Sequence, residues 1–231
     1  MISIRRSQER GRASFGWLNS RHTFSFGQYY DPAHMGVSAL RVINDDSVTP
    51  GAGFGTHGHS DMEIISLVTQ GEMVHKDSEG HEQVLPAGEF QLMSAGSGIM
   101  HSEYNASSTE PLHFLQIWIQ PNQRGGSPGY QQKAFDLSEA ITPVITPDGR
   151  DGTLMIKQDA TVNHVNLSAG QTVSAELNEA RTYYVHVIEG QLSIDGQALN
   201  AGDGATLEQL NQATLSNAEE TITKAILFDL P

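Results

Sequence analysis

The apolar segments of this chain are short, and turn residues interrupt them along its whole length. They are rich in β-branched and aromatic residues, as in SALRVIN (38–44), LHFLQIWI (112–119) and YYVHVI (183–188). Clusters of glycine, aspartate and serine separate them, for example DSEGH (77–81). Segments of this length and composition are typical of antiparallel strands. The pattern therefore predicts an all-β fold, with a single weak helical turn near 136–142.

Two stretches of the chain share one pattern of glycines, strands and turns. The segments 70–92 and 189–207 share the same order of features. Each has a glycine before a first strand, a glycine-containing turn before a second strand, and a small residue, a glycine and an acidic residue before a third strand. A loop at 121–133, rich in glycine, proline and glutamine, lies between the halves and is interpreted as a linker. We predict two domains, 1–125 and 126–231. Each is expected to be a small antiparallel barrel or jelly roll whose alternate residues face the interior.

Charge and cysteine content exclude several classes of protein. The 231 residues include 13 Lys and Arg against 27 Asp and Glu, a net charge of −14, which disfavours binding to nucleic acid or anionic lipid. Cysteine is absent, which excludes disulfides, thiolate ligands and cysteine nucleophiles. No apolar run approaches the roughly 18 residues of a membrane span, and no export signal is visible. We expect a cytoplasmic protein with no membrane and no direct nucleic-acid partner.

Two residue pairs, His-x-His and His-x-Glu, each follow a glycine-rich turn. Strand residues i and i+2 point to the same face, so His57 and His59 project together, as do His101 and Glu103. Three neutral imidazoles and one carboxylate suit a divalent transition metal such as iron, manganese, cobalt, nickel or copper better than magnesium or calcium. Octahedral geometry would leave two positions open, which is typical of a catalytic site.

The fourth metal ligand has rivals. Asp61 and Glu63 also stand an even number of residues from His59, so an unbroken strand places them on the same face. We favour Glu103, because its spacing from His101 repeats that of the first pair. The remaining histidines lack a partner at matching spacing and are expected to be structural or on the surface: His75, His81, His113, His164 and His186.

The repeat predicts what the second half carries at the four ligand positions. Gly71 is aligned with Gly190, and Gly88 with Gly202. No imidazole occupies an equivalent position in this alignment, which gives Glu176, Asn178, Leu215 and Asn217. The C-terminal domain is therefore expected to lack the metal ligands.

The histidine segment GAGFGTHGHSDME (51–63) resembles the first cupin motif, in which a glycine precedes His-x-His and a glutamate follows. Further segments are similar to the pirin family of the cupin superfamily: RHTFSFGQYYDP (21–32), MGVSALRVINDD (35–46), LPAGEFQLMSAGSGIMHSEYN (85–105) and LFDLP (227–231). The match is closer in the N-terminal half. The resemblance implies a bicupin, with His57, His59, His101 and Glu103 binding one divalent metal ion. Iron(II) is expected first, with Mn, Co, Ni, Cu or Zn as alternatives.

For bacterial pirin-like proteins the resemblance implies quercetin 2,3-dioxygenase activity. In this reaction O2 opens the heterocyclic ring of a flavonol such as quercetin and carbon monoxide is released. Glu103 is then the expected catalytic residue, as the acceptor of the flavonol proton. Two other functions stay open: an iron-dependent regulatory protein that binds a protein partner, and a cupin whose metal is a Lewis acid for isomerisation or hydrolysis. Two barrels in one chain can cover each other as a dimer would, so a monomer is expected.

Overall fold

The computed structural model describes all residues, Met1–Pro231, and consists of strands, turns and two 3-10 helices, Ser7–Glu9 and Arg150–Gly152. It contains no α-helix, which confirms the all-β prediction. The helical turn predicted near 136–142 was wrong, because the β-branched run there forms the strand Ile141–Thr146. Neither helix has the length and apolar character needed to cross a membrane.

The chain forms two compact units, and neither is one continuous segment. The first unit consists of Gly11–Phe135 and Ile156–Gln158. The second unit consists of Met1–Arg10, Asp136–Met155 and Asp159–Pro231. Each unit thus takes in residues from a distant part of the sequence.

The first unit contains eleven strands in two sheets. In chain order they are β2 (Gly11–Ser14), β3 (Leu18–His22), β4 (Leu40–Val48), β5 (Gly53–His59), β6 (Glu63–Gln70), β7 (Glu72–Asp77), β8 (Glu82–Pro86), β9 (Glu89–Ser94), β10 (Ile99–Asn105), β11 (Leu112–Ile119) and β12 (Gly129–Ala134). The larger sheet has the order β12-β9-β6-β11-β4-β3-β2, and the smaller has the order β5-β10-β7-β8. All pairings within them are antiparallel.

The second unit also contains eleven strands in two sheets. They are β1 (Ile2–Arg5), β13 (Ile141–Thr146), β14 (Leu154–Met155), β15 (Thr161–Leu167), β16 (Thr172–Glu176), β17 (Thr182–Glu189), β18 (Gln191–Ile194), β19 (Gln197–Asn200), β20 (Gly204–Glu208), β21 (Gln212–Ser216) and β22 (Thr223–Leu230). The larger sheet has the order β1-β20-β17-β22-β15-β13-β14, and the smaller has the order β16-β21-β18-β19. The sheet orders show that the predicted repeat is real, because β9-β6-β11-β4 corresponds to β20-β17-β22-β15.

The edges of the two large sheets differ from the sequence-based expectation. The segment 121–133 was predicted to be a linker, but its last part belongs to β12, which pairs with β9. Backbone hydrogen bonds along a sheet edge outweigh the turn-forming composition there. In the second unit the matching edge is taken by β1, which pairs with β20. The division at residue 125 stays a prediction about domains, and the compact units do not follow it.

One asparagine in each unit marks equivalent positions. Asn105 Nδ2 donates hydrogen bonds to three backbone carbonyls at 2.9 to 3.3 Å, and Asn217 Nδ2 does so at 2.7 to 3.1 Å. Each Oδ1 accepts a hydrogen bond from the backbone N–H two residues later in the chain. The two side chains therefore close the same turn in the two halves.

This equivalence corrects the alignment of the two halves. With Asn217 matched to Asn105, the strand pairings place Ala213 and Leu215 at the positions of His101 and Glu103. The sequence alignment was shifted by two residues in this strand, because the turn before β21 is shorter than the turn before β10. The second unit still carries no imidazole at these positions.

Candidate metal centre

Two neighbouring strands bring the predicted ligands together in the first unit. β5 and β10 are antiparallel neighbours, and His57 lies directly opposite His101. The register shifts between His101 and Glu103, which bends the strand at the site. Gly53 permits the close approach, since a Cβ there would lie 2.3 Å from the carbonyl oxygen of Glu103. The local His-x-His and His-x-Glu spacing is thus converted into one cluster by strand pairing.

The three imidazoles form a compact group. Ring centroids are 4.4 Å apart for His57 and His101, 4.8 Å for His57 and His59, and 4.9 Å for His59 and His101. One nitrogen from each ring lies within 4.8 Å of the others. Three imidazole nitrogens this close together could act as ligands of a single metal ion.

The unpaired nitrogens of this group fit a metal ion. His57 Nδ1 lies 2.8 Å from the carbonyl oxygen of Gly55, so it is the protonated nitrogen and Nε2 carries a free lone pair. His101 is 1% exposed, and neither of its ring nitrogens has a hydrogen-bond partner. Buried polar atoms without a partner are rare in proteins. Coordination of a metal would satisfy the one nitrogen of this ring that carries a lone pair.

Electrostatics keep the imidazoles of His59 and His101 neutral at physiological pH. Burial, followed by the neighbouring histidines, lowers the pKa of His101 to about 3. Burial and the adjacent His57 lower the pKa of His59 to about 4. A neutral imidazole offers a lone pair to a metal, whereas a protonated one does not.

Glu103 is buried and held at both carboxylate oxygens. Gln116 Nε2 donates to Oε2 at 2.8 Å, and Ser66 Oγ lies 3.2 Å from Oε1. Gln91 Nε2 donates to Ser66 Oγ at 3.3 Å and extends the network. Burial raises the pKa of Glu103, while nearby histidines and these two hydrogen bonds oppose the rise. The carboxylate therefore has a fixed orientation in an interior position.

His75 is the site residue that the sequence analysis missed. It is fully buried on β7, opposite Glu103, and forms a second cluster with His101 and Glu103 whose ligand atoms lie within 4.8 Å of one another. Its Nε2 lies 3.1 Å from Asp77 Oδ2, which is also 2.9 Å from His81 Nδ1. The Nδ1 of His75 is buried without a partner. His75 and Asp77 have the same spacing as His101 and Glu103, and this spacing is the sequence feature that could have identified His75 as a site residue.

The rival ligands Asp61 and Glu63 lie beyond the end of β5 and bind elsewhere. Asp61 has a left-handed backbone, with φ of 51°, and its Oδ1 accepts the backbone N–H of Gly125 at 2.6 Å. Glu63 Oε2 accepts hydrogen bonds from Ser94 Oγ at 2.9 Å and from the backbone N–H of Lys157 at 3.2 Å. Because the strand breaks between them and the histidines, the even spacing does not put either carboxylate in the cluster.

A cavity of about 1020 Å³ borders the cluster. His57, His59 and Glu103 line it, together with Gln116 and Trp118 of β11. These two side chains stand two residues apart, so one face of β11 lines the cavity. The remaining wall is mainly aromatic and apolar, with contributions from Phe15, Trp17, Leu18, Phe26, Tyr29 and Phe54. Its size and lining suit a flat aromatic ligand.

A buried carboxyl group, Asp46, lies in the wall of the same cavity. Burial raises its pKa to about 7, while the Ser20 hydroxyl acts in the opposite direction and Asp45 and Glu103 add to the rise. Spacing arguments gave no reason to select this residue, because it belongs to no ligand pair.

The other four histidines named in the sequence analysis lie apart from the imidazole cluster. His113 is half-buried on β11 and alternates with the cavity-lining residues of that strand. His81 is partly exposed and bonds to Asp77. In the second unit, His164 and His186 are buried. Burial lowers the pKa of His164 to about 4 and that of His186 to about 3.

Two units of one topology, of which one carries a histidine and carboxylate cluster beside a cavity, define a two-domain cupin protein with one candidate metal centre. The family model described as Pirin matches residues 3–119, and the model described as Quercetinase C-terminal cupin domain matches residues 143–230. The chain belongs to the pirin family, as its motifs predicted.

Proteins of known sequence and structure resemble the chain over its full length. It is 46% identical over 231 residues to "Quercetin 2,3-dioxygenase" of Escherichia coli strain K12, covering 100% of this chain and 99% of the relative. It is 32% identical over 236 residues to "Pirin-like protein YhaK" of the same strain, covering 100% of both. The crystal structure of the bacterial pirin YhhW from E. coli in complex with nickel(II) superposes with a TM-score of 0.96 at 44% identity, covering 100% of this chain and 99% of the other.

Proposed function

We propose that this protein is a metal-dependent quercetin 2,3-dioxygenase, which opens the heterocyclic ring of a flavonol with O2 and releases carbon monoxide. The observation that carries the proposal is the position of the imidazole and carboxylate donors in the wall of an apolar cavity of about 1020 Å³. The full-length similarity to the E. coli quercetin 2,3-dioxygenase supports the choice of reaction.

We propose His57, His59, His101 and Glu103 as the metal ligands, with iron(II) as the native ion. The unpaired nitrogens of His101 and the free Nε2 of His57 support this set. Mn, Co, Ni, Cu and Zn are alternatives, since nitrogen and oxygen donors accept several divalent metals. When bound, the ion supplies a Lewis acid that stabilises the deprotonated 3-oxygen of a flavonol.

Glu103 is proposed as the group that accepts the flavonol proton. Its pKa is raised by burial, which brings it closer to the range in which a carboxylate exchanges protons at neutral pH. Gln116 and Ser66 hold its two oxygens, so the carboxylate is orientated before substrate arrives. These two side chains are positioning residues for Glu103.

The aromatic wall binds and orientates the substrate. Trp118 packs edge-on against His59 with centroids 4.9 Å apart, and Phe26 packs edge-on against Trp118 at 5.3 Å. A flat ring system that enters the cavity displaces water from this surface, which favours binding through the hydrophobic effect. The same contacts hold the reacting ring against the donor cluster and exclude bulk water from it.

The proposal is tested with purified protein of determined metal content. Quercetin absorbance is expected to decay in air with formation of carbon monoxide, and the decay is expected to stop under argon. The His101→Ala variant should lose its bound metal, because a buried ligand is removed. Its rate of quercetin decay should fall at least about 1000-fold. His113→Ala is the matched control and should retain both.

Other results of that experiment identify the competing functions. Turnover that continues under argon would contradict a dioxygenase and favour a Lewis-acid isomerase or hydrolase. No turnover, together with metal-dependent affinity for a protein partner, would favour a regulatory protein. Unchanged quercetin decay in His101→Ala would contradict the proposed metal centre.

We further propose that the protein is a monomer that acts in the cytoplasm, where iron(II) is available in reduced form. Light scattering of the purified protein tests the oligomeric state, and fractionation of cells tests the compartment. A dimeric mass or a membrane-associated fraction would contradict these two proposals separately.

A further inference from the structure

β4 contributes two polar side chains to the cavity wall. Asn44 and Asp46 both line the cavity, as alternate residues of one strand face the same side. The neighbouring strands place Gln116 opposite Asn44, and Ser20 and Phe114 opposite Asp46. The two side chains therefore lie on an interior wall that also contains a residue holding Glu103.

Both side chains are buried, and each has an oxygen without a partner. Asp46 and Asn44 are each 3% exposed, and the Oδ1 atoms of both make no hydrogen bond. The indole Nε1 of Trp118, in the same cavity, is also buried without a partner. Buried polar atoms are rarely left unbonded, so unpaired acceptors at a cavity wall indicate a ligand that donates hydrogen bonds.

The fold does not require an acid at this position. Asp46 pairs with Phe114 in the first unit, and the corresponding pair in the second unit is Val165 with Ala225. Val165 is fully buried in a hydrophobic core. The same strand is thus compatible with an apolar residue, and a structural role does not explain a buried carboxyl group.

We propose that Asp46 and Asn44 form an acceptor subsite for hydroxyl groups of the substrate other than the hydroxyl held at the metal centre. Asp46 is the specificity-determining residue, because its unpaired Oδ1 can accept a hydrogen bond from one hydroxyl of a ring while the unpaired Oδ1 of Asn44 can accept one from another. The inference rests on the proposed flavonol chemistry and narrows the substrate class to polyhydroxylated flavonols.

Binding measured under argon tests the subsite without turnover. The full-length protein loaded with metal is titrated with quercetin and with 3-hydroxyflavone, which lacks every other hydroxyl group. Quenching of tryptophan fluorescence reports binding, since Trp17 and Trp118 line the cavity. We expect the wild type to bind quercetin at least about 10-fold more tightly than 3-hydroxyflavone, because a site built to bond hydroxyl groups discriminates against a ligand that lacks them.

Asp46→Asn changes one acceptor oxygen to a donor and keeps the shape. It should reduce the preference for quercetin by about 10-fold while the affinity for 3-hydroxyflavone stays within about twofold. Asp45→Asn is the matched control, because it removes a charge from the adjacent residue of β4, which does not line the cavity, and it should keep the preference. If Asp46→Asn does not fold, Asn44→Ala provides the test and should lower the same preference.

An equal loss of affinity for both ligands, or an unchanged preference, would overturn the subsite. Other results would contradict the dioxygenase proposal without contradicting the subsite. Protein that prefers quercetin under argon and loses this preference in Asp46→Asn, but forms no carbon monoxide in air, would support the subsite and contradict the reaction. Protein that turns over both flavonols equally well, with no preference in binding, would support the reaction and contradict the subsite.

Discussion

The two units have the same sheet arrangement, but the interior of the first unit is polar and that of the second is apolar. The first unit places polar or titratable side chains across its interior, namely Ser66, His75, Gln91, Glu103 and Gln116. The strand pairings put apolar residues at the corresponding positions of the second unit, namely Val185, Ile194, Ala205, Leu215 and Leu227. All five of the latter belong to one hydrophobic core. The topology therefore needs no polar interior, and the polar interior of the first unit serves chemistry.

The difference has an energetic side. Apolar burial stabilises a core by about 25 cal/mol per Å², whereas buried polar groups contribute only when each one is bonded. The first unit meets this requirement for Glu103 with donors from Ser66 and Gln116. His101 and His75 keep unpaired nitrogens, so this interior is complete only when something binds to it.

The largest loss of stability is expected when a polar residue of the first interior is introduced at the equivalent position of the second unit. Leu215→Glu places a carboxylate at the position equivalent to Glu103, among Val185, Ile194 and Leu227, which offer no hydrogen-bond donor. We expect the free energy of unfolding to fall by about 4 kcal/mol or more, as for other unpaired buried charges. Thermal unfolding followed by circular dichroism measures the loss.

The reciprocal change is the control. Glu103→Leu removes a buried charge. Ser66 Oγ keeps its 2.9 Å hydrogen bond to Gln116 Oε1, while Gln116 Nε2 loses its acceptor. Its cost should be less than half as large, about 1–2 kcal/mol, because apolar replacement of buried ions is often tolerated. Metal content should fall at the same time. Equal destabilisation by the two substitutions would show that the two interiors are not different in kind.

The next effect concerns His75. Its Nε2 is bonded to Asp77, so its Nδ1 is an acceptor beside the imidazole of His101. In metal sites, an acceptor for the second ring N–H of a ligating histidine fixes the orientation of that ring, and loss of such an acceptor typically costs 10–100-fold in metal affinity. His75→Phe should weaken metal binding by about that factor, measured by competition with a chelator. His113→Phe should leave the affinity unchanged, and an equal loss there would contradict a role specific to His75.

The free energy of unfolding of the second unit should depend on pH through His186. Burial and the nearby Arg10 lower the pKa of His186 to about 3, below its ordinary value of 6.5. The unfolded chain therefore binds the proton more readily, so stability is complete above about pH 6.5 and falls as the pH decreases toward the folded pKa. The loss is about 1.4 kcal/mol per pH unit for one such group, or about 2 kcal/mol at pH 5.

The register of the sheets places Leu67 of the first unit at the position of His186. His186→Leu should accordingly reduce the difference in stability between pH 7 and pH 5, as measured by urea unfolding at both values. His164, whose pKa is lowered to about 4, retains its own contribution. A pH dependence that does not change in the variant would show that His186 titrates normally in the folded state.

The smallest difference is expected at the feature that the units share. Asn105→Ala and Asn217→Ala each remove an amide that donates to three carbonyls and accepts one N–H. We expect each to lower the unfolding free energy by about 1–3 kcal/mol, and by similar amounts. Differential scanning calorimetry of both variants tests this. A loss confined to one of them would mean that the two turns are not equivalent.

Local periodicity was enough to predict much of this protein. The alternation of strand residues gave the β architecture and placed His57 with His59, and His101 with Glu103, on shared faces. The structure brings these four residues to adjoining strands. Such information lies within a few residues of each site, and a single sequence contains it in full.

Features that depend on pairing between distant strands were missed. His75 joins the cluster because β7 pairs with β10, and Asp46 reaches the cavity because β4 pairs with β11. The equivalence of the halves was shifted by two residues because a turn differs in length between them. The register between two strands and the absence of a hydrogen bond at a buried oxygen are not visible in a local sequence pattern, because both depend on how distant strands pair.

The position of β1 in the second unit orders the events of synthesis. Ile2–Arg5 pairs with Gly204–Glu208, so β1 gains its partner strand only after that distant segment has been translated. The first unit needs only Gly11–Phe135 and the short segment Ile156–Gln158, so most of it emerges well before that partner exists. β1 therefore stays without its partner strand while most of the first unit folds.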